Sequence, residues 1–64
     1  MRINRLKLVT ELVKRDMTQI ELAEAAGVSR ATVGYIKCGK SCSDVVGIKI
    51  ANALGLPIEE LLEK

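Results

Sequence analysis

The apolar residues of this chain recur three and four positions apart, the spacing that places side chains on one face of a helix. This pattern predicts a first helix over residues 3–15. The apolar positions of that helix are Ile3, Leu6, Val9, Leu12 and Val13. No strand pattern is found along the chain, so the sequence predicts an all-α protein.

Capping residues and glycines divide the rest of the chain into four more predicted helices. Helices begin after side chains that accept backbone hydrogen bonds, or at a proline, and they end at glycines that adopt a left-handed conformation. The predicted starts are Thr18 with Glu21 in a capping box, Ser29, Ser41 or Ser43, and Pro57, which opens a short helix over residues 57–63. The predicted stops are Gly27, Gly39 and Gly55.

The second and third predicted helices are separated by the three residues Gly27, Val28 and Ser29. The glycine ends one helix, the serine caps the next, and the apolar valine between them fills the corner. Two helices joined by a short turn with a glycine form a helix-turn-helix, which presents its second helix outward. The sequence predicts this unit over about residues 18–38.

Length and composition favour one small helical domain over residues 1–64. Apolar residues make up 48% of the chain, almost all aliphatic, with one Tyr and no Phe or Trp. No apolar run approaches the roughly 18 residues of a membrane span, and Arg2, Arg5 and Lys7 interrupt the candidate signal region. We therefore expect a soluble, cytoplasmic protein with no membrane partner.

The net charge of +2 is unevenly distributed. Residues 1–40 carry eight basic and four acidic side chains, or +4, whereas residues 41–64 carry two basic and four acidic side chains, or −2. A basic amino-terminal part suits an anionic partner on one side of the molecule, although a solvated mixed-charge surface explains the asymmetry as well.

The residues that catalysis and metal binding need are missing from the sequence. There is no histidine, the acidic residues are scattered, and no glycine-rich phosphate loop occurs, so we predict no enzymatic activity and no cofactor. Two thiols, Cys38 and Cys42, do not complete a four-ligand zinc site. They are read as ordinary reduced cysteines. A redox switch is the alternative, because they flank the end of the third helix.

Residues 18–40, TQIELAEAAGVSRATVGYIKCGK, resemble the helix-turn-helix of the Cro/phage-repressor family, also called XRE or lambda-repressor-like. Residues 49–62, KIANALGLPIEELL, resemble the fourth and fifth helices of that family. The resemblance implies a compact five-helix lambda-repressor-like domain that binds double-stranded DNA with its third helix in the major groove. The matching positions are Gln19, Leu22, Ala23, Gly27, Val28, Val33, Ile36, Gly39 and Lys40.

Four residues of the third helix face outward when Val33 and Ile36 face the core, and they are the candidates for base contacts: Arg30, Ala31, Gly34 and Tyr35. Arg30 lies in the first turn and has the geometry to bind guanine bidentately, while Ala31 fits a thymine methyl. Gly34 lowers helix propensity by about 1 kcal/mol relative to Ala, which indicates close approach to DNA or tight packing against the second helix.

Two of these residues have a plainer interpretation as well. Arg30 is either a base contact or a solvated surface arginine. Tyr35 either reaches DNA or covers the edge of the core.

Candidates for phosphate contacts are Thr18, Gln19, Ser29, Thr32, Lys37 and Lys40. The backbone N–H groups at the start of the second helix favour an anion, and Lys40 matches a position that usually contacts the DNA backbone in the family. Thr18 also has a role as a cap, and Lys37 has the alternative of an ordinary solvated charge.

The chain departs from the family at a partly buried ion pair. Many relatives carry arginine at the position of Leu12 and glutamate at that of Lys37, and here both are absent. Loss of both partners is tolerable, whereas loss of one leaves a costly buried charge. The loop GKSCSD after the third helix also lacks the proline and the extra basic residues often found there.

The function expected is that of a Cro-like repressor that binds a palindromic operator as a homodimer, associated with the nucleoid through DNA. No small-molecule ligand is expected. The predicted dimer contact is Leu56, Ile58 and Leu62, with Ile58 and Leu62 one helical turn apart; core packing is the alternative. The alternative function is a protein-interaction module of the same fold, such as an antitoxin-like or inhibitor subunit.

Overall fold

A computed structural model describes residues 1–63, and the described part of the chain contains the five predicted helices. Lys64, which was counted in the charge of the carboxyl-terminal part, lies outside the described residues. The all-α prediction is confirmed. The helices are α1 (Arg5–Lys14), α2 (Gln19–Ala26), α3 (Arg30–Lys37), α4 (Asp44–Leu54) and α5 (Ile58–Leu61).

The capping residues form the hydrogen bonds predicted for them. The Glu21 N–H donates to the Thr18 hydroxyl at 3.1 Å, and the Glu21 carboxylate accepts from the Thr18 N–H at 3.0 Å, which completes the capping box of α2. The fourth helix begins after Ser43 rather than Ser41, because the Ser43 hydroxyl accepts the Val46 N–H at 3.2 Å.

The first helix starts later than predicted and presents a different face to the core. The Asn4 side chain accepts the N–H groups of Leu6 and Lys7 at 3.0 and 3.2 Å, so Asn4 is the cap and the helix begins at Arg5. Leu6 and Val13, which the helical spacing groups with Leu12 on one apolar face, are 73% and 74% exposed. The residues of α1 that are buried instead are Leu8, Glu11 and Leu12.

The two ends of the chain pair with each other. Ile3 is buried but extended, and it forms an isolated antiparallel bridge with Leu62. As a result α5 ends at Leu61, and Leu62 has extended backbone angles. The prediction that Ile58 and Leu62 lie one turn apart on the same helix is therefore wrong.

Each helix contributes a fully buried side chain to one core. These side chains are Leu8, Leu22, Val33, Ile50 and Leu61, all 0% exposed. Burial of an aliphatic side chain of this size stabilises a fold by about 1.5–3 kcal/mol, so this core accounts for much of the stability of so short a chain. Because α2 packs against both α3 and α4, the helix-turn-helix rests on the rest of the domain.

One buried charge was not predicted from the sequence. The Glu11 carboxylate is 4% exposed and contacts three cations, with the Lys7 and Lys14 amines at 3.2 and 3.3 Å and the Arg15 guanidinium hydrogen-bonded to it. Arg15 also donates to the Leu54 carbonyl at 2.5 Å, which ties the end of α1 to the end of α4.

None of the helices within residues 1–63 has the length and apolar character of a membrane span.

Candidate nucleic-acid interface

The turn between α2 and α3 has the geometry that its sequence predicts. Gly27 ends α2 with φ 71° and ψ 33°, in the left-handed region that favours glycine. Val28 packs against the core, and its N–H donates to the Ala23 carbonyl at 3.0 Å. The Ser29 hydroxyl then accepts the Thr32 N–H at 3.1 Å and starts α3. These contacts fix the direction in which α3 leaves the turn.

The third helix has a buried face and an exposed face. Val33 and Ile36 are 0% and 1% exposed, as predicted. On the other face Arg30, Ala31 and Tyr35 are exposed, and Gly34 between them is half-buried. The side chains predicted to contact bases therefore lie together on one accessible face, opposite the face that packs on the core.

Arg30 is free to reach a ligand. Its guanidinium lies 3.9 Å from the Glu24 carboxylate of α2, and both side chains are about 70% exposed. An exposed ion pair at that distance contributes little to stability, so it does not compete strongly with a better partner. A guanine edge would supply two hydrogen bonds in the geometry of the arginine fork.

Gly34 is not required by packing within the protein. A Cβ atom placed at Gly34 meets no atom within 4 Å beyond its own helix and its chain neighbours. Tight packing against α2, one of the two reasons predicted for this glycine, is therefore wrong. Close approach to DNA, the other reason, stays a prediction.

We expect Gly34→Ala to raise stability and to weaken DNA binding. The alanine adds about 1 kcal/mol of helix propensity and clashes with nothing in the domain. If the DNA backbone or a base approaches this position, the added methyl lowers affinity for DNA. Thermal melting and a binding titration on the same sample measure the two effects. Raised stability with unchanged affinity would show that nothing approaches Gly34.

Tyr35 and Lys40 interact with each other at the end of α3. The Lys40 amine lies 5.0 Å from the centre of the Tyr35 ring, and the Lys40 N–H donates to the Tyr35 carbonyl at 3.0 Å. Tyr35 is 56% exposed, so it does not cover the core. A cation–π contact at an exposed site contributes about 0.5–1 kcal/mol and holds the lysine beside the exposed face of α3.

The polar residues at the two helix starts keep groups that can bind phosphate. The Thr18 hydroxyl accepts a hydrogen bond from the backbone, so its own hydrogen is free to be donated. The Ser29 and Thr32 hydroxyls lie 2.7 Å apart and share one hydrogen bond, which leaves one hydroxyl hydrogen free. Gln19 is half-buried at the first position of α2.

Lys37 and Leu12 line a common cleft between α1 and α3, beside Thr18 and Gln19. These two positions carry a partly buried ion pair in many relatives. Here Leu12 is buried but uncharged and Lys37 is charged but exposed, so no buried charge lacks a partner at these positions. The buried charge of this region is Glu11, whose cations all come from residues 7–15. The lysine thus remains available at the edge of the candidate interface.

The residues predicted to form a dimer contact are only partly accessible. Leu56 and Ile58 pack against the core, and Leu62 is half-buried beside its bridge partner Ile3. The larger exposed apolar side chains lie elsewhere, at Leu6, Val13, Ile20, Tyr35, Val45 and Ile48.

The cysteines do not form a site in the described residues. Cys38 is exposed, Cys42 is half-buried, and both are free thiols. Burial raises the pKa of the Cys42 thiol, which disfavours its reactive thiolate form at neutral pH. Within residues 1–63, no three potential ligands from His, Cys, Asp and Glu lie together.

Comparison with known proteins gives two matches. A family model described as helix-turn-helix matches residues 10–61. A solved structure described as transcriptional regulator VanUg is similar, with a TM-score of 0.82 and 32% sequence identity; the match covers 97% of this chain and 83% of that chain. A search of curated proteins found no significant match.

Proposed function

Because the chain belongs to the helix-turn-helix family, we propose that it is a sequence-specific DNA-binding transcriptional regulator. The observation that carries the proposal is the outer face of α3, where Arg30, Ala31 and Tyr35 are exposed around Gly34. This face suits the edges of base pairs in a major groove, where arginine binds guanine and a methyl group contacts the thymine methyl. Packing within the domain does not require the glycine between them. The solved regulator that resembles this chain supports the same function.

The finer proposal is a Cro-like repressor in the cytoplasm, held on nucleoid DNA. One helix-turn-helix reads about half of a site, so high affinity requires two copies on a palindromic operator with half-sites about one DNA turn apart. The phosphates on either side of each half-site contact three helix ends. These are the start of α2 through Thr18 and Gln19, the start of α3 through Ser29 and Thr32, and the end of α3 through Lys37 and Lys40. The proposal includes no catalytic activity and no small-molecule ligand.

Selection of bound duplexes from a randomised pool, at near-physiological salt, tests the proposed function. A recovered palindrome supports a sequence-specific regulator, and its half-site spacing gives the geometry of the dimer. No enrichment of any sequence would contradict the proposal.

We expect Leu62→Glu to separate a dimer into monomers if Leu56, Ile58 and Leu62 form the contact. A charge in a desolvated interface is costly, so the sedimentation coefficient and the operator affinity both fall. Val13→Glu, at an exposed residue outside this patch, is the control and leaves sedimentation unchanged. Because Leu62 pairs with Ile3, circular dichroism is used to check that the variant keeps its helical content. Unchanged sedimentation in a folded Leu62→Glu variant would exclude this contact.

A protein-interaction module of the same fold is the second candidate. It is favoured by Val45 and Ile48, which are 62% and 47% exposed and lie three residues apart on the outer side of α4. The positive charge near α3 suits phosphate better than it suits an apolar partner, so DNA binding is the stronger proposal.

A further inference from the structure

The amino-terminal segment, residues 1–4, lies between the loop after α3 and the carboxyl-terminal residues. Met1 and Cys42 exchange two backbone hydrogen bonds, at 2.7 and 2.8 Å. On the opposite edge, the Asn4 N–H donates to the Leu61 carbonyl at 2.7 Å and the Glu63 N–H donates to the Arg2 carbonyl at 2.9 Å. These bonds fix the segment between the carboxyl-terminal residues and the loop that follows α3, the helix that we propose reads DNA.

Arg2 is the side chain that this arrangement places at the end of α3. Its guanidinium donates to the Gly39 carbonyl at 2.9 Å, one residue before Lys40. Arg5, the first residue of α1, lines the same surface cleft as Arg2, Cys38 and Gly39. Both arginines are exposed, and within residues 1–63 neither forms an ion pair with a carboxylate.

The loop after α3 does not supply much positive charge of its own. Lys40 is followed by Ser41, Cys42 and Ser43, which are neutral, and then by Asp44. The cations other than Lys40 at this edge of the interface therefore come from the amino-terminal segment and the start of α1. A guanidinium has five N–H donors, so the bond from Arg2 to Gly39 leaves donors for a phosphate.

We propose that Arg2 and Arg5 bind DNA backbone phosphate beside Lys40, next to the base pairs that α3 reads. This inference rests on the proposed DNA-binding function and extends its phosphate contacts to two residues far from the helix-turn-helix in sequence. The Glu63 carboxylate belongs to the same cleft and opposes the phosphate. The site thus contains two groups that strengthen binding and one that weakens it.

Binding titrations at several salt concentrations test the proposal, using the selected operator and a scrambled duplex. We expect Arg2→Gln and Arg5→Gln each to weaken binding several-fold, by the same factor on both duplexes, and to reduce the slope of log K against log salt by about 1. Glu63→Gln should strengthen binding. Lys49→Gln removes one positive charge from the exposed side of α4 and is the matched control, with a smaller effect.

Each outcome decides for or against the proposal. Arg2→Lys keeps the positive charge and should retain the salt slope of the wild type. This variant therefore separates loss of the phosphate contact from loss of the hydrogen bond to Gly39. Melting curves confirm that the variants fold. Two results would overturn this inference and leave the proposed DNA-binding function intact. In the first, the wild-type protein binds DNA and both glutamine variants bind it as tightly as the wild type. In the second, Lys49→Gln weakens binding as much as the arginine variants do. If the wild-type protein binds neither duplex, the proposed function fails and the inference fails with it.

Discussion

Replacement of Arg30 with alanine is expected to relax the specificity for a single base pair of the proposed operator. A bidentate contact from arginine to guanine contributes about 1–3 kcal/mol of discrimination, which corresponds to roughly 5- to 150-fold in relative affinity. Arg30 suits this role because it is exposed in the first turn of α3 and bound only loosely to Glu24. Titration of the operator and of its single-base variants measures the change.

Two further variants separate base recognition from general attraction to DNA. Arg30→Lys keeps the charge but loses the planar fork, so we expect it to lose most of the discrimination while retaining the salt slope. Lys40→Ala should weaken binding to all sequences by a similar factor. A uniform loss in Arg30→Ala, with a salt slope reduced by about 1, would assign Arg30 to a phosphate instead of a base.

Local signals in the sequence were enough to predict the number of helices and most of their ends. Thr18, Ser29, Ser43, Gly27 and Gly55 act over one turn of helix, and the structure shows the hydrogen bonds and backbone angles that their chemistry predicts. The buried positions Val33 and Ile36 followed from spacing within the same helix. The resemblance to the Cro/phage-repressor family, and with it the fold, is confirmed.

The errors arose where contacts between distant residues decide the local structure. The bridge between Ile3 and Leu62 removes both residues from helices that their sequence favours. In α1 the apolar pattern is compatible with two buried faces, one that includes Leu6 and one that includes Leu8. The structure buries the face with Leu8, which also buries Glu11. No signal within residues 3–15 distinguishes Leu8 from Leu6.

The candidate site was predictable where it lies on one helix and not where it depends on the whole fold. Spacing placed Arg30, Ala31 and Tyr35 on the exposed face of α3. The position of Arg2 beside Gly39 depends on a contact across 37 residues, and nothing in the spacing of the sequence indicates it. A basic residue in an extended amino-terminal segment is the only sequence signal that could have drawn attention to it.

Replacement of Glu11 with glutamine is expected to give the largest loss of stability among single changes of a charged residue. The variant leaves Arg15, Lys7 and Lys14 around a site that no longer carries the opposite charge, and it weakens the bond by which Arg15 holds the end of α4. The Glu11 side chain is buried but its three cations are 30–63% exposed, so solvent screens part of the interaction. We therefore expect the melting temperature at pH 7 to fall by about 5 °C. Glu59→Gln, at an exposed carboxylate of α5, is the control and should change it little.

The same carboxylate predicts how stability depends on pH. Hydrogen bonds from Arg15 and Lys7, then the nearby Lys14, lower the pKa of Glu11 to about 2, against an ordinary value near 4.5 in the unfolded chain. Between these values the unfolded chain binds the proton more readily, so stability is lost as the pH falls. The contribution of Glu11 is full above about pH 5 and is lost progressively toward pH 2. The difference in melting temperature between the wild-type protein and Glu11→Gln should therefore shrink over that range, whereas a difference that stays constant to pH 2 would show that the charge of Glu11 does not stabilise the fold.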